Sequence, residues 1–108
     1  MIQIIGFKNC KETQKAIRYF KERRIDFAFV DLKEYKLSSK EWDSIFNAKN
    51  SFFASDSQYY KKNSYQYRDY DEREEVMAHI ELLKTPVLRA KTNAAIGLDT
   101  DFVEKYKC

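Results

Sequence analysis

Cysteine is scarce in this sequence, and so are the features that mark secreted and membrane proteins. The 108 residues include two cysteines, Cys10 and Cys108, near opposite ends of the chain. Small secreted domains usually carry several disulfides, so this usage predicts a protein that needs no disulfide staple. No stretch approaches the roughly 18 apolar residues of a membrane span, and the start, MIQIIG, lacks the basic residues and long apolar stretch of a signal peptide. We therefore expect a cytoplasmic protein that does not engage a membrane.

A strong excess of one charge is absent as well. The 20 basic and 17 acidic residues are interleaved and leave a net charge of +3. Such a distribution offers no concentrated field for a phosphate backbone, so we expect no direct contact with nucleic acid. The single histidine, His79, lies in a stretch of helical spacing with no Cys or second His as a partner. We interpret it as structural and predict no metal site.

Apolar and aromatic residues are plentiful. Hydrophobic residues make up 44% of the chain, aromatic residues 16% and charged residues 34%. This composition predicts a globular chain with a real core, and the length fits a single domain over residues 1–108. Five of the eight tyrosines lie within residues 59–70. Without a basic stripe or an RNA-binding motif, we expect them to pack a loop rather than to stack on bases.

The first third of the chain has the pattern of a βαβ unit. Residues 1–6 are apolar and end in glycine, which predicts a buried strand. Thr13, Ala16, Ile17 and Phe20 then fall at helical spacing and predict a helix over about residues 10–24. Residues 26–32, DFAFVDL, predict a second strand, parallel to the first.

The rest of the chain predicts helices followed by a hairpin and a last helix. Ser38 and Glu41 have capping-box spacing at the start of a helix over residues 38–47. Residues 51–70 show no clean period and predict turns with one short helix, whereas residues 71–83 return to helical spacing behind an acidic start. Strands over residues 86–89 and 94–98, with a turn at 91–93, precede a helix over residues 100–107. This order, with a thiol after the first strand and a proline opening the third, is that of a thioredoxin fold.

Two motifs give the sequence a specific resemblance. IGFKNCKETQKA, residues 5–16, resembles the start of arsenate-reductase-like proteins, the family that includes the Spx-type transcription regulators. KTPVL at 84–88 and IGL at 96–98 resemble the third and fourth strands of that family, and Tyr67-Arg68 resembles a Tyr-Arg pair after a family loop. The resemblance implies an α/β, thioredoxin-like fold with a four-stranded mixed sheet, a helical insertion at about residues 38–83, and chemistry centred on Cys10.

The sequence departs from the family pattern at two positions. Spx-type members carry Cys-x-x-Cys, but the second of these positions is Thr13, which excludes a local disulfide switch. Arsenate reductases bind the oxyanion with several arginines, one of them directly before the proline, and that position is Thr85. Arg68 resembles another member of that set, whereas Arg89 is near in sequence but not at a matching position. Arsenate is therefore not the expected substrate.

Cys10 is the candidate nucleophile. It lies where a strand gives way to a helix, so the helix N-terminus and the neighbouring Lys8 and Lys11 would favour the thiolate. Asn9 completes the motif on the strand side, and the Thr13 hydroxyl, one helical turn away, is placed to hydrogen-bond the sulfur. The alternatives are that Cys10 is a small buried hydrophobe and that Thr13 only packs or caps the first turn.

Three further residues complete the candidate site. The fold resemblance predicts a cis bond between Thr85 and Pro86, which would present the Thr85 backbone to a bound thiol partner. The guanidinium of Arg68 is suited to an oxyanion or to a carboxylate of glutathione. The equal alternative for Arg68 is a solvated arginine beside Asp69 and Asp71.

These observations predict a monothiol oxidoreductase with no bound cofactor. In this hypothesis Cys10 attacks a disulfide or an oxidised small substrate, and glutathione, as co-substrate, or a thiol protein releases it. The alternative is a non-catalytic, Spx-like binding module that contacts RNA polymerase, since the chain lacks both the second cysteine and the arginine before the proline.

Overall fold

The computed structural model describes residues 1–48, 50–54, 58–63 and 69–107. A four-stranded mixed sheet organises the fold, with the strand order β2-β1-β3-β4. Its strands are β1 (Ile2–Gly6), β2 (Phe27–Asp31), β3 (Val87–Ala90) and β4 (Asn93–Ile96). β1 pairs with β2 in parallel and with β3 antiparallel, and β3 pairs antiparallel with β4. This architecture confirms the predicted α/β, thioredoxin-like fold.

Five α-helices accompany the sheet in the described part of the chain. They are α1 (Lys11–Glu22), α2 (Ser39–Phe46), α3 (Gln58–Lys62), α4 (Glu72–Ala78) and α5 (Thr100–Tyr106). α1 connects β1 to β2, α2 to α4 lie in sequence between β2 and β3, and α5 follows β4. None of the described helices is long and apolar enough to cross a membrane.

The pleat of β1 divides the hydrophobic core between the two faces of the sheet. Ile2 and Ile4 point to one face and pack with Phe20 of α1 and Val103 of α5. Ile5 points to the other face and packs with apolar residues of α2, α4 and the loops between them, among them Trp42, Ile45, Phe53, Val76 and Leu82. Alternate residues of a strand face opposite sides, so this one short strand anchors both layers.

The helix boundaries follow local capping signals where these exist. Ser38 caps α2: its hydroxyl accepts from the Glu41 N–H, and the Glu41 carboxylate accepts from the Ser38 N–H at 2.9 Å. Asp71 caps α4 by accepting from the N–H groups of Arg73 and Glu74. Asp99 caps α5 by accepting from the Phe102 N–H at 3.1 Å. Each cap satisfies N–H groups that a helix leaves unpaired at its start.

The prediction of one helix over residues 71–83 is wrong in its second half. α4 ends at Ala78, His79 has extended backbone angles, and Ile80–Leu82 forms a single 3-10 turn. Tertiary pairing explains the break, because the Ala54 N–H donates to the Leu82 carbonyl at 2.7 Å and the Lys84 N–H donates to the Phe52 carbonyl at 2.7 Å. A continuous α-helix would engage this backbone internally. His79 therefore caps a helix instead of lying within one, and its ring packs 5.2 Å from that of Tyr59.

The hairpin also differs from its predicted bounds. β4 begins at Asn93, which pairs with Ala90, so the turn contains only Lys91 and Thr92. Lys91 adopts the left-handed conformation with φ of 56°. β4 ends at Ile96 rather than at Leu98, because Gly97 has φ of +82°, a conformation that glycine adopts without strain.

Candidate active site

Cys10 is the residue at which the first strand has ended and α1 begins. It is the N-cap of α1, with φ of −79° and ψ of 121°. The loop before it is a tight turn, in which the Cys10 N–H donates to the Phe7 carbonyl at 3.1 Å. The Gln14 side chain fastens this turn to the helix by donating to the Lys8 carbonyl at 2.7 Å. Strand, turn and helix therefore fix the thiol at the carboxyl end of β1, and Cys10 stays partly exposed.

Thr85 meets Cys10 from the opposite end of the sequence. β3 runs antiparallel to β1, with Ile5 paired to Val87, so the residues just before β3 lie beside the end of β1. The Thr85 hydroxyl donates a 3.2 Å hydrogen bond to Cys10 Sγ. The Thr85-Pro86 bond is cis. The structure thus brings together Cys10, Thr85 and Pro86 from the predicted set.

Thr13 lies beneath the thiol and is completely buried. Its hydroxyl oxygen is buried and, within the described residues, has no hydrogen bond of ordinary geometry. Gly6 makes this position possible, since a Cβ at residue 6 would collide with Oγ1 of Thr13 and approach its Cγ2 to 2.9 Å. A buried hydroxyl without another partner gains most from a neighbouring negative charge. Thr13 is therefore positioned to stabilise the thiolate form of Cys10.

The pKa of the Cys10 thiol is lowered from its ordinary value. Burial is the largest single influence and acts to raise this pKa. The hydroxyls of Thr13 and Thr85, together with the backbone N–H groups of Thr13 and Glu12 in the first turn of α1, lower it by more. Hydrogen bonding and the helix N-terminus therefore favour the thiolate over the neutral thiol.

The two flanking lysines, Lys8 and Lys11, are not among the groups that lower the pKa of Cys10. Lys8 is exposed, and its ammonium lies 3.8 Å from a carboxylate oxygen of Asp31 at the end of β2. Lys11 is exposed on the first turn of α1, and Asn9 is exposed in the turn before Cys10. The groups that lower the pKa of Cys10 are hydroxyls and backbone N–H groups, not these lysines.

The arginines do not assemble around Cys10 in the described structure. Arg68 and Cys108 lie outside the described residues. Arg89 points to the face of the sheet that α2 covers, where its Nε donates to Ser44 Oγ at 3.2 Å and a terminal nitrogen donates to Gln3 Oε1 at 3.4 Å. Gln3 belongs to the opening half of β1, so Arg89 is held toward the end of the sheet opposite to Cys10.

Sequence reasoning missed three residues that support the site: Gly6, Gln14 and Asp31. Gln14 is four residues from Cys10, so its side chain shares the helix face below the turn. Asp31 ends the strand next to β1, and carboxyl ends of parallel strands share one edge of a sheet. Those two signals were available in the sequence. The contact between Gly6 and Thr13 required the structure.

Similar solved structures carry the same arrangement of elements. No family model matches the chain, and no curated protein matches it in sequence. A YffB protein superimposes with a TM-score of 0.82 at 19% identity over 100% of both chains. An arsenate-reductase-family-related protein from Bacteroides fragilis has a TM-score of 0.76 at 18% identity, over 96% of this chain and 95% of its own. An arsenate-reductase-related protein from Brucella melitensis has a TM-score of 0.71 at 23% identity, over 97% of this chain and 92% of its own.

This chain has the arsenate-reductase fold. The structural similarity extends over nearly the whole chain, and it is to the fold that the sequence resemblance at the two ends of the chain predicts. In this fold the Cys10 thiol lies beyond the carboxyl end of β1, between the start of α1 and the residues that precede β3. Two clefts lie elsewhere on the protein, one lined by β4 and α5 and the other by the loop after β2 and α4. Cys10 lines neither of them.

We predict that Cys10 and Cys108 do not form an intramolecular disulfide. β4 runs in the same direction as β1, because both strands are antiparallel to β3. The helix α5, which follows β4, therefore starts at the end of the sheet where Cys10 lies and runs away from it. The last turn of α5 contacts the opposite end of the sheet, because the side-chain amide of Asn93, at the start of β4, donates to the Tyr106 hydroxyl at 2.8 Å. A disulfide needs Cα atoms within about 7 Å. Oxidation of the dilute native protein followed by peptide mapping should give no Cys10–Cys108 crosslink; a high yield would contradict the orientation of α5.

Proposed function

We propose that this protein is a single-thiol member of the arsenate-reductase-like family and acts as a monothiol oxidoreductase linked to glutathione. The observation that carries the proposal is the partly exposed thiol of Cys10, which accepts a hydrogen bond from Thr85 and has a lowered pKa. A lowered pKa raises the fraction of thiolate at neutral pH, and the thiolate is the attacking species.

The reaction needs one cysteine, and Cys10 takes part in two exchange steps. The Cys10 thiolate attacks one sulfur of a disulfide substrate, a Cys10–substrate disulfide forms, and the other sulfur leaves as a thiolate. A glutathione thiolate then attacks the substrate sulfur, which releases the Cys10 thiolate and leaves a substrate–glutathione disulfide. A second glutathione thiolate reduces this product to the substrate thiol and forms glutathione disulfide. In each exchange the attacking sulfur loses one electron and the leaving sulfur gains one, so full reduction of a disulfide takes two thiols and two electrons, and no bound cofactor is required. Among the described residues no group of three His, Cys, Asp or Glu could hold a metal ion.

The exposed lysines near Cys10 support an anionic thiol as the partner. Glutathione carries two carboxylates, and the exposed Lys8 and Lys11 flank Cys10 along the chain. Asn9 precedes Cys10 in the chain, and the Thr85 hydroxyl donates a hydrogen bond to the same thiol. We assign these residues, with Pro86 and Arg68, to the binding of the thiol partner. Arg68 enters this set through the sequence resemblance alone.

Mass spectrometry after exposure to oxidised glutathione tests the proposal. We expect one glutathione adduct, mapped to Cys10, and no adduct at this position in Cys10→Ser. The adduct should disappear on addition of reduced glutathione, because the exchange is reversible. Cys108→Ser is the matched control and should accept the adduct as the unmodified chain does. A Cys10 that reacts no faster than Cys108 would contradict the proposal and favour the Spx-like binding module, which recovery of RNA polymerase subunits by copurification would support.

We predict negligible reduction of arsenate, even with glutathione and glutaredoxin supplied. Thr85 stands where the resemblance places an oxyanion-binding arginine, and its hydroxyl is engaged with Cys10 Sγ. A hydroxyl cannot form the bidentate, charged contact that an arginine provides. The rate of arsenite production should stay at the level of Cys10→Ser. Turnover similar to that of a genuine arsenate reductase would show that other groups bind the oxyanion.

A further inference from the structure

The strand β2 lies at one edge of the sheet, and its apolar composition is typical of a strand that is paired on both sides. Its residues Phe27–Asp31, FAFVD, carry no charge until the last position, and all five are partly exposed. β1 is its paired strand, and β2 stands at the end of the strand order. Soluble proteins usually protect such edges with lysine, proline, bulges or a covering element, because an apolar edge pairs with other strands.

The backbone of this edge is available for pairing at Phe27 and Phe29. The Leu32 N–H donates to the Gly6 carbonyl at 3.0 Å, which sets the phase of the parallel ladder. Alternate residues of a strand point their backbone groups the same way, so Ala28 and Val30 face β1 and Phe27 and Phe29 face outward. The Asp31 carbonyl is already engaged by the N–H groups of Glu34 and Tyr35. Among the described residues, no backbone group bonds to the outward groups of Phe27 and Phe29.

A second copy of the same strand fits this edge when the two-fold axis passes at Ala28. In that antiparallel register Phe27 opposes Phe29 of the second copy, and Phe29 opposes Phe27. The outward N–H and C=O groups of both residues then form four interchain hydrogen bonds, and none of them competes with Asp31. The two opposed aromatic pairs lie on one face, a combination that stabilises antiparallel strands. Asp26 opposes Val30, so no carboxylates face each other across the axis.

We propose that the protein forms a symmetric dimer in which two β2 strands pair edge to edge at Ala28 and extend the sheet to eight strands. The interface is isologous, since the same strand contributes both halves. It buries one short strand on each side, so it belongs to the small, concentration-dependent class of interfaces. The proposal does not depend on the thiol chemistry. The antiparallel arrangement places the two Cys10 thiols toward opposite ends of the joined sheet and leaves both open.

The other free edge, β4, is less suited to this pairing. The cleft beside it is lined by charged and amide side chains, including Asn47, Asp99, Asp101 and Lys105. β4 is also limited by the turn at Lys91 and by Gly97. Charged side chains beside an edge strand oppose the approach of an apolar strand. We therefore assign the dimer to β2.

Sedimentation equilibrium under reducing conditions tests the dimer, with the chain concentration varied from about 10 μM to about 1 mM. The mass of the unmodified chain should rise from 13.0 kDa toward twice that value. Ala28→Lys and Ala28→Glu should each stay monomeric over this range, with dissociation constants at least about tenfold higher, because like charges meet at the axis. An equimolar mixture of the two variants should regain the dimer, since the introduced ammonium of one chain then faces the introduced carboxylate of the other.

The controls separate the interface from folding and from the thiol chemistry. Ala28 belongs to neither core cluster, so both variants should keep the thermal midpoint of the unmodified chain within a few degrees. Asn93→Lys, on the exposed start of β4, should dimerise as the unmodified chain does. The alkylation rate of Cys10 should be unchanged in Ala28→Lys, whether or not the proposed oxidoreductase activity is found.

Hydrogen exchange provides a measurement without any variant. The amide protons of Phe27 and Phe29 should become protected as the chain concentration rises. An unmodified chain that remains at 13.0 kDa throughout would overturn the proposal and leave the edge to an extended segment of another protein. A dimer that survives Ala28→Lys, or a mixture of the Ala28→Lys and Ala28→Glu variants that stays monomeric, would overturn the Ala28 register.

Discussion

Replacing Thr85 by valine should slow the alkylation of Cys10 at neutral pH by about threefold to tenfold. Valine keeps the shape of threonine and removes the hydroxyl that donates to Cys10 Sγ at 3.2 Å. A hydrogen bond to a charged group contributes about 1.5 to 3 kcal/mol when buried, and partial exposure of this thiol places the effect at the lower end. The intrinsic reactivity of a thiolate rises as its pKa rises, which offsets part of the loss.

The pH profile gives the sign of this effect. The hydrogen bonds lower the pKa of Cys10, so the alkylation rate of the unmodified chain should rise at a lower pH than that of an ordinary thiol. Loss of the Thr85 hydroxyl raises this pKa, and the profile of Thr85→Val should move to higher pH. Thr85→Ser keeps a hydroxyl and should retain the original profile. All measurements belong in a Cys108→Ser background, so that one thiol is followed. A valine profile that superimposes on the serine profile would remove Thr85 from the site.

Replacing Gly6 by alanine should lower the free energy of unfolding by about 1 to 3 kcal/mol, the usual cost of overpacking a core. The added Cβ would collide with the Thr13 side chain, which is completely buried. Each kcal/mol corresponds to roughly 4 to 8 °C in the melting temperature of a chain of this size. Thermal unfolding monitored by circular dichroism measures the loss.

A double-mutant cycle isolates the contact responsible. Thr13→Ala removes Oγ1 and Cγ2, the two atoms nearest to the new Cβ, and leaves only the Cβ of residue 13 at 3.3 Å. Gly6→Ala together with Thr13→Ala should therefore recover most of the stability that Gly6→Ala alone has lost. If the double variant is as unstable as the sum of the two single variants, the collision with Thr13 is not the cause.

Gly6 links stability to the thiol site. Thr13 is held under Cys10 because residue 6 has no side chain, and the Thr13 hydroxyl is one of the groups that lower the pKa of Cys10. Gly6→Ala should therefore also slow the alkylation of Cys10, because the displaced Thr13 hydroxyl no longer lowers the pKa of the thiol. Gly6 thus allows β1 to pack closely against α1 and, through Thr13, helps to lower the pKa of the Cys10 thiol.

Local signals in the sequence predicted most of the elements. The spacing of Ala16 and Phe20 predicted α1, and both residues are buried against the sheet. The Ser38 and Glu41 pair predicted the start of α2, where the capping box forms. The junction of a strand and a helix at Cys10 predicted its place at the N-terminus of α1. These predictions succeeded because helix period and capping depend on residues only a few positions apart.

Predictions failed where distant backbone decided the outcome. The periodicity of Val76, Ile80 and Leu83 continues past Ala78, but α4 does not, because residues 82–84 pair with residues 52–54. No local pattern announces such a bridge. The sequence likewise predicted a strand that continues through Gly97 to residue 98, whereas β4 ends at Ile96.

By itself, the sequence determined the α/β class, the position of Cys10 at a helix start and the departures at Thr13 and Thr85 from the family pattern, since each is encoded within one element. Only the tertiary structure decided which groups surround the thiol. The antiparallel register of β1 with β3 brings Thr85 to Cys10 across 75 positions of sequence. The parallel register of β1 with β2 draws Lys8 to Asp31 instead of to the sulfur. Contacts of this kind depend on how strands align, and strand alignment is a property of the assembled sheet.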